Sequence, residues 1–197
     1  KRDREQLMAE LDGFNTERVR LLEQLSELRD ERFKMRQAIV DQINDALSPT
    51  IRVTLMQFGN PEKYREVLGE ALQGANLHRK VVADKVANVF WPAELAEVIK
   101  HRNPQPLIDK AEINAEQAAK VITILSGSQV MFDLEVVEMV DLPKIELNDS
   151  GTFKETSSLS TGQKCTTILP ILLMESDNPL LIDQPEDNLD NAFIAER

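Results

Sequence analysis

The sequence predicts an α/β fold preceded by one long helix, and three observations lead to that prediction. Apolar residues recur at alternating spacings of four and three through residues 1 to about 47, as they do along a helix. A helical pattern returns between residues 61 and 125, flanked by short segments that have the alternation of strands. Near the end of the chain, the apolar residues 180–182 lead into Asp183, which is typical of a buried parallel strand.

The first segment is predicted to be a coiled-coil arm. It contains no proline and only one glycine, and a heptad pattern of this length requires a partner helix. A single long helix packed on a globular body is the less favoured alternative. Ser48 and Pro49 end the segment. The ten positions of the stripe are Leu7, Leu11, Phe14, Arg18, Leu21, Leu25, Leu28, Arg32, Met35 and Ile39.

Two of these positions, Arg18 and Arg32, are charged. In the seam of a coiled coil a buried charge lowers stability, although it can fix the register or the partner. If both lie in the seam against an antiparallel partner, replacing both arginines with leucine should raise the melting temperature of the protein reunited with its missing part.

The remainder, residues 48–197, is predicted to be one lobe with a helical insertion at about 61–127. Asn114 and Gln117 have the spacing of a capping box at the start of the last helix of the insertion. Leu142 and Pro143 separate two further strands. The predicted strands are 51–58, 132–140 and 144–147, and the predicted helices are 61–73, 77–90, 93–101 and 115–125.

The composition excludes several classes of function. The net charge of −11 argues against a diffuse electrostatic grip on nucleic acid by this segment. The single Cys165 rules out an internal disulfide framework. No apolar run reaches the roughly 20 residues that cross a bilayer, and no signal peptide opens the chain, so we expect a cytoplasmic protein. The chain begins at Lys1 and ends inside a new helical pattern, which predicts a fragment of a larger protein.

A polar loop at residues 157–163 leads into a helix predicted over residues 164–174. Ser160 can cap this helix, and Gln163, three residues later, can complete a reciprocal cap. Free amides and the helix dipole favour a phosphate group at such a position, and Gly162 permits close approach to the backbone. Taken alone, a serine-capped helix after a serine-rich loop is usually only a well-formed helix start.

The second polar segment follows the predicted strand at residues 180–182. Its Asp183 would emerge at the carboxyl edge of the sheet, where ligands bind and where a carboxylate can hold Mg²⁺. Residues 184–190 add further polar and acidic groups beside it. Taken alone, an acidic loop after a core strand is an equally good interpretation.

Together the two segments resemble the ABC-type ATPase signature, Leu-Ser-Gly-Gly-Gln, and the Walker B and D-loop pattern, Asp-Glu-Pro-x-x-x-Leu-Asp. Ser160 and Asp183 are 23 residues apart, which leaves room for one helix, a turn and a strand. With the preceding arm, the chain resembles the C-terminal part of the SMC, RecF and RecN-like branch. The form of the second motif in this chain, Asp-Gln-Pro-Glu-Asp-Asn-Leu-Asp, looks like that of large bacterial SMC-like ATPases, some of which are linked to PHP-type domains. The matching segments are Leu159-Ser160-Thr161-Gly162-Gln163 and Asp183-Gln184-Pro185-Glu186-Asp187-Asn188-Leu189-Asp190.

This resemblance implies an ATPase that uses ATP and Mg²⁺ and forms a homodimer of heads. Its expected partner is DNA, and no membrane is expected to take part. Asp183 would hold Mg²⁺. Leu189 and Asp190 would form the D-loop at the dimer interface. The segment from the signature loop to the D-loop would span residues 157–191. Ser160 and Gly162 would touch the γ-phosphate of ATP held by the opposite protomer, and Thr161 and Gln163 would complete the nucleotide-binding segment.

Two features depart from the family pattern. Gln184 occupies the place of the catalytic glutamate, and an amide cannot accept a proton as a carboxylate does, which makes Glu186 a candidate base. The phosphate loop Gly-x-x-x-x-Gly-Lys-[Ser/Thr] is absent, so it is expected in an N-terminal lobe of the same protein, and this chain alone should be inactive. The alternatives are a non-catalytic or very slow ATP-gated dimerisation module and a purely structural coiled-coil protein.

Overall fold

A computed structural model describes residues 2–126 and 129–174 of the chain. These residues form mostly helices together with a three-stranded sheet in the order β1-β2-β3, which confirms the predicted α/β class at this level. The elements are α1 (Arg2–Leu47), β1 (Ile51–Asn60), α2 (Glu62–Ala71), α3 (Arg79–Val89), α4 (Pro92–Lys100), α5 (Gln105–Ala111), α6 (Ala115–Ser126), α7 (Val130–Val136), β2 (Val140–Asp149), β3 (Thr152–Glu155) and α8 (Thr161–Leu172).

The described residues divide into two compact units. The first comprises the chain up to Leu28 together with Phe58–Val140, and the second comprises Arg29–Gln57 together with the residues from Asp141 onwards. The helix predicted over residues 1–47 is present as α1, which contributes to both units.

The core of the first unit is built by α2 to α7. Each helix directs apolar residues at three- and four-residue spacings towards this core, and these side chains are almost completely removed from water. The predicted cap of α6 is confirmed, because the Gln117 amide donates to Asn114 Oδ1 at 2.8 Å and the Asn114 amide donates to Gln117 Oε1 at 3.1 Å. Representative core residues are Tyr64, Leu68, Leu95, Ile99, Leu107, Val121, Leu125 and Leu134.

The prediction of a strand over residues 132–140 was wrong. Most of this segment forms α7, and β2 begins only at its end, with Val140. The segment contains Phe132 and three valines, residues whose local preference is for strands. Packing decides against that preference, because Leu134 on α7 is fully buried in the helical core and α7 packs closely against α4.

Three further elements differ from the sequence prediction. The short helix α5 begins at Gln105 and carries Pro106 in its first turn, where a missing amide hydrogen removes no helix hydrogen bond. The proposed break at Leu142 and Pro143 lies within the continuous strand β2. The third strand of the sheet, β3, was not predicted.

Arg18 of α1 binds a carboxylate of α7 within the first unit. Its Nε donates to Oε2 of Glu135 at 2.9 Å, and its Nη2 also contacts both carboxylate oxygens. The guanidinium carbon lies 4.9 Å from the centre of the Phe132 ring, and Lys100 Nζ approaches Glu135 to 3.2 Å. A carboxylate that is only 7% exposed therefore lies opposite Arg18 and compensates its charge within the first unit.

The second unit packs the end of α1 against the sheet. Val40 of α1 shares a small apolar core with Ile51 and Val53 of β1 and Leu147 of β2. The Asn44 side chain also fastens α1 to β1, because its Nδ2 donates to the Val53 carbonyl at 2.8 Å and its Oδ1 accepts from the Val53 amide at 2.7 Å. The predicted strand over residues 51–58 is present as β1.

Strands β2 and β3 form a hairpin that carries the chain towards α8. Asp149 pairs with Thr152 across a two-residue turn at Ser150 and Gly151, whose φ angles are 54° and 89°. Such left-handed angles fit the right-handed twist of the hairpin, and glycine adopts them without strain. The Asn148 side chain accepts from the Gly151 amide at 2.8 Å and so closes the turn.

Charged pairs cover one part of this sheet. Glu146 of β2 accepts from Lys144 Nζ at 2.8 Å and from Arg52 Nε at 2.8 Å. Hydrogen bonds from these two cations, with Lys144 contributing more than Arg52, hold the pKa of Glu146 below its ordinary value. Arg52 also stacks over the Phe153 ring at 4.0 Å, so its cation joins all three strands.

Candidate functional site

The predicted signature residues lie at the start of α8, and a buried side chain positions them. Leu159 is 6% exposed and packs into the core of the second unit. Before it, a 3-10 turn at Thr156–Ser158 is closed by the Leu159 amide, which donates to the Thr156 carbonyl at 3.3 Å. Leu159 therefore anchors the loop to the core, and Ser160, the next residue, is exposed.

Ser160 caps α8 through the reciprocal arrangement that the sequence predicts. Its Oγ accepts from the Gln163 amide at 3.3 Å, and Gln163 Oε1 accepts from the Ser160 amide at 3.2 Å. The helix begins at Thr161, three residues earlier than predicted, and ends at Leu172. Buried Thr167 donates from its Oγ1 to the Gln163 carbonyl at 2.6 Å, one turn into the helix.

The start of α8 has the chemistry of an anion site. The amides of Thr161 and Gly162 occupy the first turn, where no carbonyl of the same helix can accept from them. The first turn contains no acidic residue, and Lys164 is exposed beside it. The helix dipole places partial positive charge at the same end. Phosphate oxygens accept hydrogen bonds from groups of these kinds, namely a serine hydroxyl, backbone amides and an ammonium group.

The structure brings together four of the predicted site residues, namely Ser160, Thr161, Gly162 and Gln163. The remaining predicted residues lie outside the described part of the chain. These are Asp183 as the metal ligand, Gln184 and Glu186 as the catalytic residues, and Leu189 and Asp190 of the D-loop.

Sequence reasoning missed the role of Leu159 as the anchor of the loop. The available signal was one apolar residue among serines and threonines immediately before a helix cap, at a position where a buried residue often fixes how the chain enters a helix. Lys164 was likewise counted only as the first residue of the helix, whereas it is an exposed cation beside the first turn.

A pocket with a volume of about 310 Å³ lies in the first unit between α2 and α3. Both carboxylates and cations line it, and Arg65 already pairs with Asp84 at 3.6 Å and with the Asn88 side chain at 2.7 Å. This mixed lining does not select one class of ligand. Across residues 2–126 and 129–174, no group of three or more His, Cys, Asp or Glu side chains is arranged to hold a metal.

None of the helices in the described part of the chain is both long enough and apolar enough to cross a bilayer.

Comparisons with protein-family models, with curated proteins and with solved structures find no match to this chain.

Proposed function

We propose that this chain is the C-terminal lobe of a coiled-coil ABC-type ATPase of the SMC, RecF and RecN-like branch. In this proposal, the start of α8 contacts the γ-phosphate of an ATP molecule held by the N-terminal lobe of an opposing head. One observation carries the proposal: residues 159–163 have the signature pattern and form a reciprocally capped helix start in which Ser160 and Thr161 are exposed. The observed α2–α7 bundle would then be the helical insertion in a P-loop head.

Each signature residue has a distinct role in this proposal. The Ser160 hydroxyl would donate to a phosphate oxygen, while its lone pair continues to accept from the Gln163 amide. The amides of Thr161 and Gly162 would donate alongside it, and the absence of a side chain on Gly162 would let the phosphate approach the backbone. Thr161 replaces the first glycine of the family pattern, and its exposure leaves the side chain room to point away.

The metal and catalytic roles fall to the second motif. Asp183 would hold Mg²⁺, which supplies charge neutralisation to the phosphates, because a carboxylate is the ligand type that this ion prefers. Gln184 can orient a water molecule but cannot take its proton, so Glu186 is proposed as the base. Leu189 and Asp190 would form the contact between two heads. Such an enzyme would work in the cytoplasm and act on DNA.

The test compares two substitutions at one position in the full-length protein. Asparagine and aspartate both cap helices well and have nearly the same shape, so Ser160→Asn and Ser160→Asp should both preserve α8. Only aspartate places a negative charge against the γ-phosphate. We expect Ser160→Asp to abolish ATP-dependent dimerisation, measured by light scattering, while each head still binds ATP. Ser160→Asn should retain a measurable fraction of dimers.

The two variants also show how the proposal could fail. Unfolding midpoints within a degree or two of each other would confirm that the helix cap is intact in both. If the aspartate variant then dimerises with ATP as well as the wild-type protein, the start of α8 does not face a phosphate.

Gln184 favours a second candidate function, an ATP-gated dimerisation module with little or no turnover. Both candidates predict ATP-dependent dimers, so dimerisation cannot separate them. Single-turnover hydrolysis by the engaged dimer can: the ATPase should cleave its bound ATP, whereas the gated module should release it intact.

A further inference from the structure

An uncovered apolar row runs along α1 in the first unit. Leu7, Phe14, Leu21 and Leu28 lie seven residues apart and are 65%, 76%, 51% and 63% exposed, and Leu11 beside them is 62% exposed. Isolated exposed leucines are common, but a continuous line of about 32 Å is not. Among the residues that the structure describes, none of the first unit buries these five side chains, which we call the apolar row.

The two flanks of the apolar row differ. On one flank Arg18 is bound to Glu135 and Leu25 is half-buried, so this side of α1 faces the helical bundle of the same unit. On the other flank lie Asp3, Glu10 and Glu17, which are exposed and also seven residues apart. We call these three the acidic row. A helix that covers the apolar row must therefore also lie beside the acidic row.

The charges in this part of α1 indicate the chemistry of that helix. Residues 3–28 contain seven acidic side chains and three basic ones, and one of the basic three, Arg18, is already bound to Glu135. Arg20 pairs with Glu17 across one turn, but both are more than half exposed, and such surface pairs exchange partners readily. The segment therefore presents net negative charge to whatever binds it.

We propose that the apolar row binds a helix whose own apolar residues are flanked by lysine and arginine, rather than a second copy of this chain. Two copies would bring two acidic segments together, and like charges across a helix pair oppose association. A basic flank would instead face the acidic row and fix the register of the pair. This proposal specifies the partner of the arm in the proposed ATPase, but it depends on α1 alone and involves no nucleotide.

The experiment uses two designed peptides, four heptads long, with the same leucine core. One carries lysine at both flanking positions and the other carries glutamate. Binding of each labelled peptide to the 197-residue chain is measured by fluorescence anisotropy without ATP. We expect the lysine peptide to bind and the glutamate peptide not to bind. Sedimentation equilibrium of the chain alone should show a monomer.

A pair of variants distinguishes docking from general attraction between opposite charges. Phe14→Glu and Thr16→Glu add the same charge to exposed positions on opposite sides of α1. We expect Phe14→Glu to raise the dissociation constant of the lysine peptide about tenfold or more, since it removes the most exposed apolar side chain of the row. Thr16→Glu should leave that constant unchanged or lower it slightly.

Three results would overturn the proposal. The first is equal binding of the two peptides, which would mean that the acidic row selects nothing. The second is an equal effect of the two glutamate variants, which would mean that the peptide does not lie on the apolar row. The third is a dimer of the chain alone that Phe14→Glu dissociates, which would identify a second copy as the partner. Because none of these binding experiments contains ATP, their results do not bear on the start of α8.

Discussion

Replacing Arg18 with leucine should destabilise the first unit, although the heptad pattern alone suggests the opposite. The substitution removes the hydrogen bonds between the guanidinium and Glu135 and the stacking of Arg18 over Phe132. Glu135 is 7% exposed, so its carboxylate would lose its closest partner without gaining water. Lys100 Nζ, 3.2 Å away, would be its remaining cation.

The size of the effect follows from these contacts. Removing one partner of a fully buried ion pair costs about 3–5 kcal/mol. Here the loss is smaller, because Arg18 is 29% exposed and Lys100 continues to compensate Glu135. We therefore expect a loss of about 1–3 kcal/mol in the free energy of unfolding. For a chain of this length, that corresponds to a decrease of roughly 2–10 °C in the melting temperature.

The assay is thermal unfolding followed by circular dichroism, with Arg20→Leu as the matched control. Arg20 lies on the same helix and also pairs with a glutamate, but both side chains of that pair are more than half exposed. Its replacement should change stability by no more than about 0.5 kcal/mol. A double variant, Arg18→Leu with Glu135→Leu, should recover at least half of the loss, because no buried carboxylate then remains unpaired.

A melting temperature that rises in Arg18→Leu would refute this reasoning and would return Arg18 to the seam of a coiled coil. Equal losses in Arg18→Leu and Arg20→Leu would show that the burial of Glu135 contributes nothing measurable.

Three other predictions address the second unit and the catalytic motif. Asn44→Ala should lower the free energy of unfolding by about 1–3 kcal/mol in urea, because both polar groups of the Val53 backbone lose their partner. Asn44→Asp should be at least as unstable at neutral pH, since its carboxylate would face the Val53 carbonyl. The neighbouring lysine and arginine lower the pKa of Glu146, so this group stabilises the fold above its ordinary pKa, and the contribution is lost as the pH falls through the lowered value. Melting temperatures of Glu146→Gln should therefore fall less than those of the wild-type chain between about pH 5 and pH 3. In the full-length protein, Glu186→Gln should lower the rate of ATP hydrolysis roughly 10²-fold while ATP binding persists, and normal hydrolysis by this variant with none by Gln184→Ala would assign water positioning to the amide.

Local signals predicted part of this fold well. The length of α1 follows from a segment without proline and with regular apolar spacing, and both reciprocal helix caps follow from side chains three residues apart. These features depend on residues close together in the chain, so the sequence contains all that they require.

The features that were missed depend on distant residues. Residues 130–136 are helical because Leu134 is buried against helices that precede it in the chain. Arg18 meets a carboxylate that is 117 residues away, and the heptad pattern shows which positions share a face but not what that face contacts. For the candidate site, the cap at Ser160 was predictable from its neighbours. The anchoring of Leu159 was not, because its core is built by α1 and two strands.

That shared core affects how mutations in this protein would be interpreted. Leu159 and Val40 belong to the same buried cluster, although they are distant in the sequence and Val40 lies on α1. A cavity made at Val40 would loosen the support beneath Ser160, so a genetic screen for loss of nucleotide-dependent behaviour should return substitutions on the arm as well as in the loop. Conversely, second-site revertants of a weakened loop should map to α1 and β1, where restored volume in the cluster would reposition the loop.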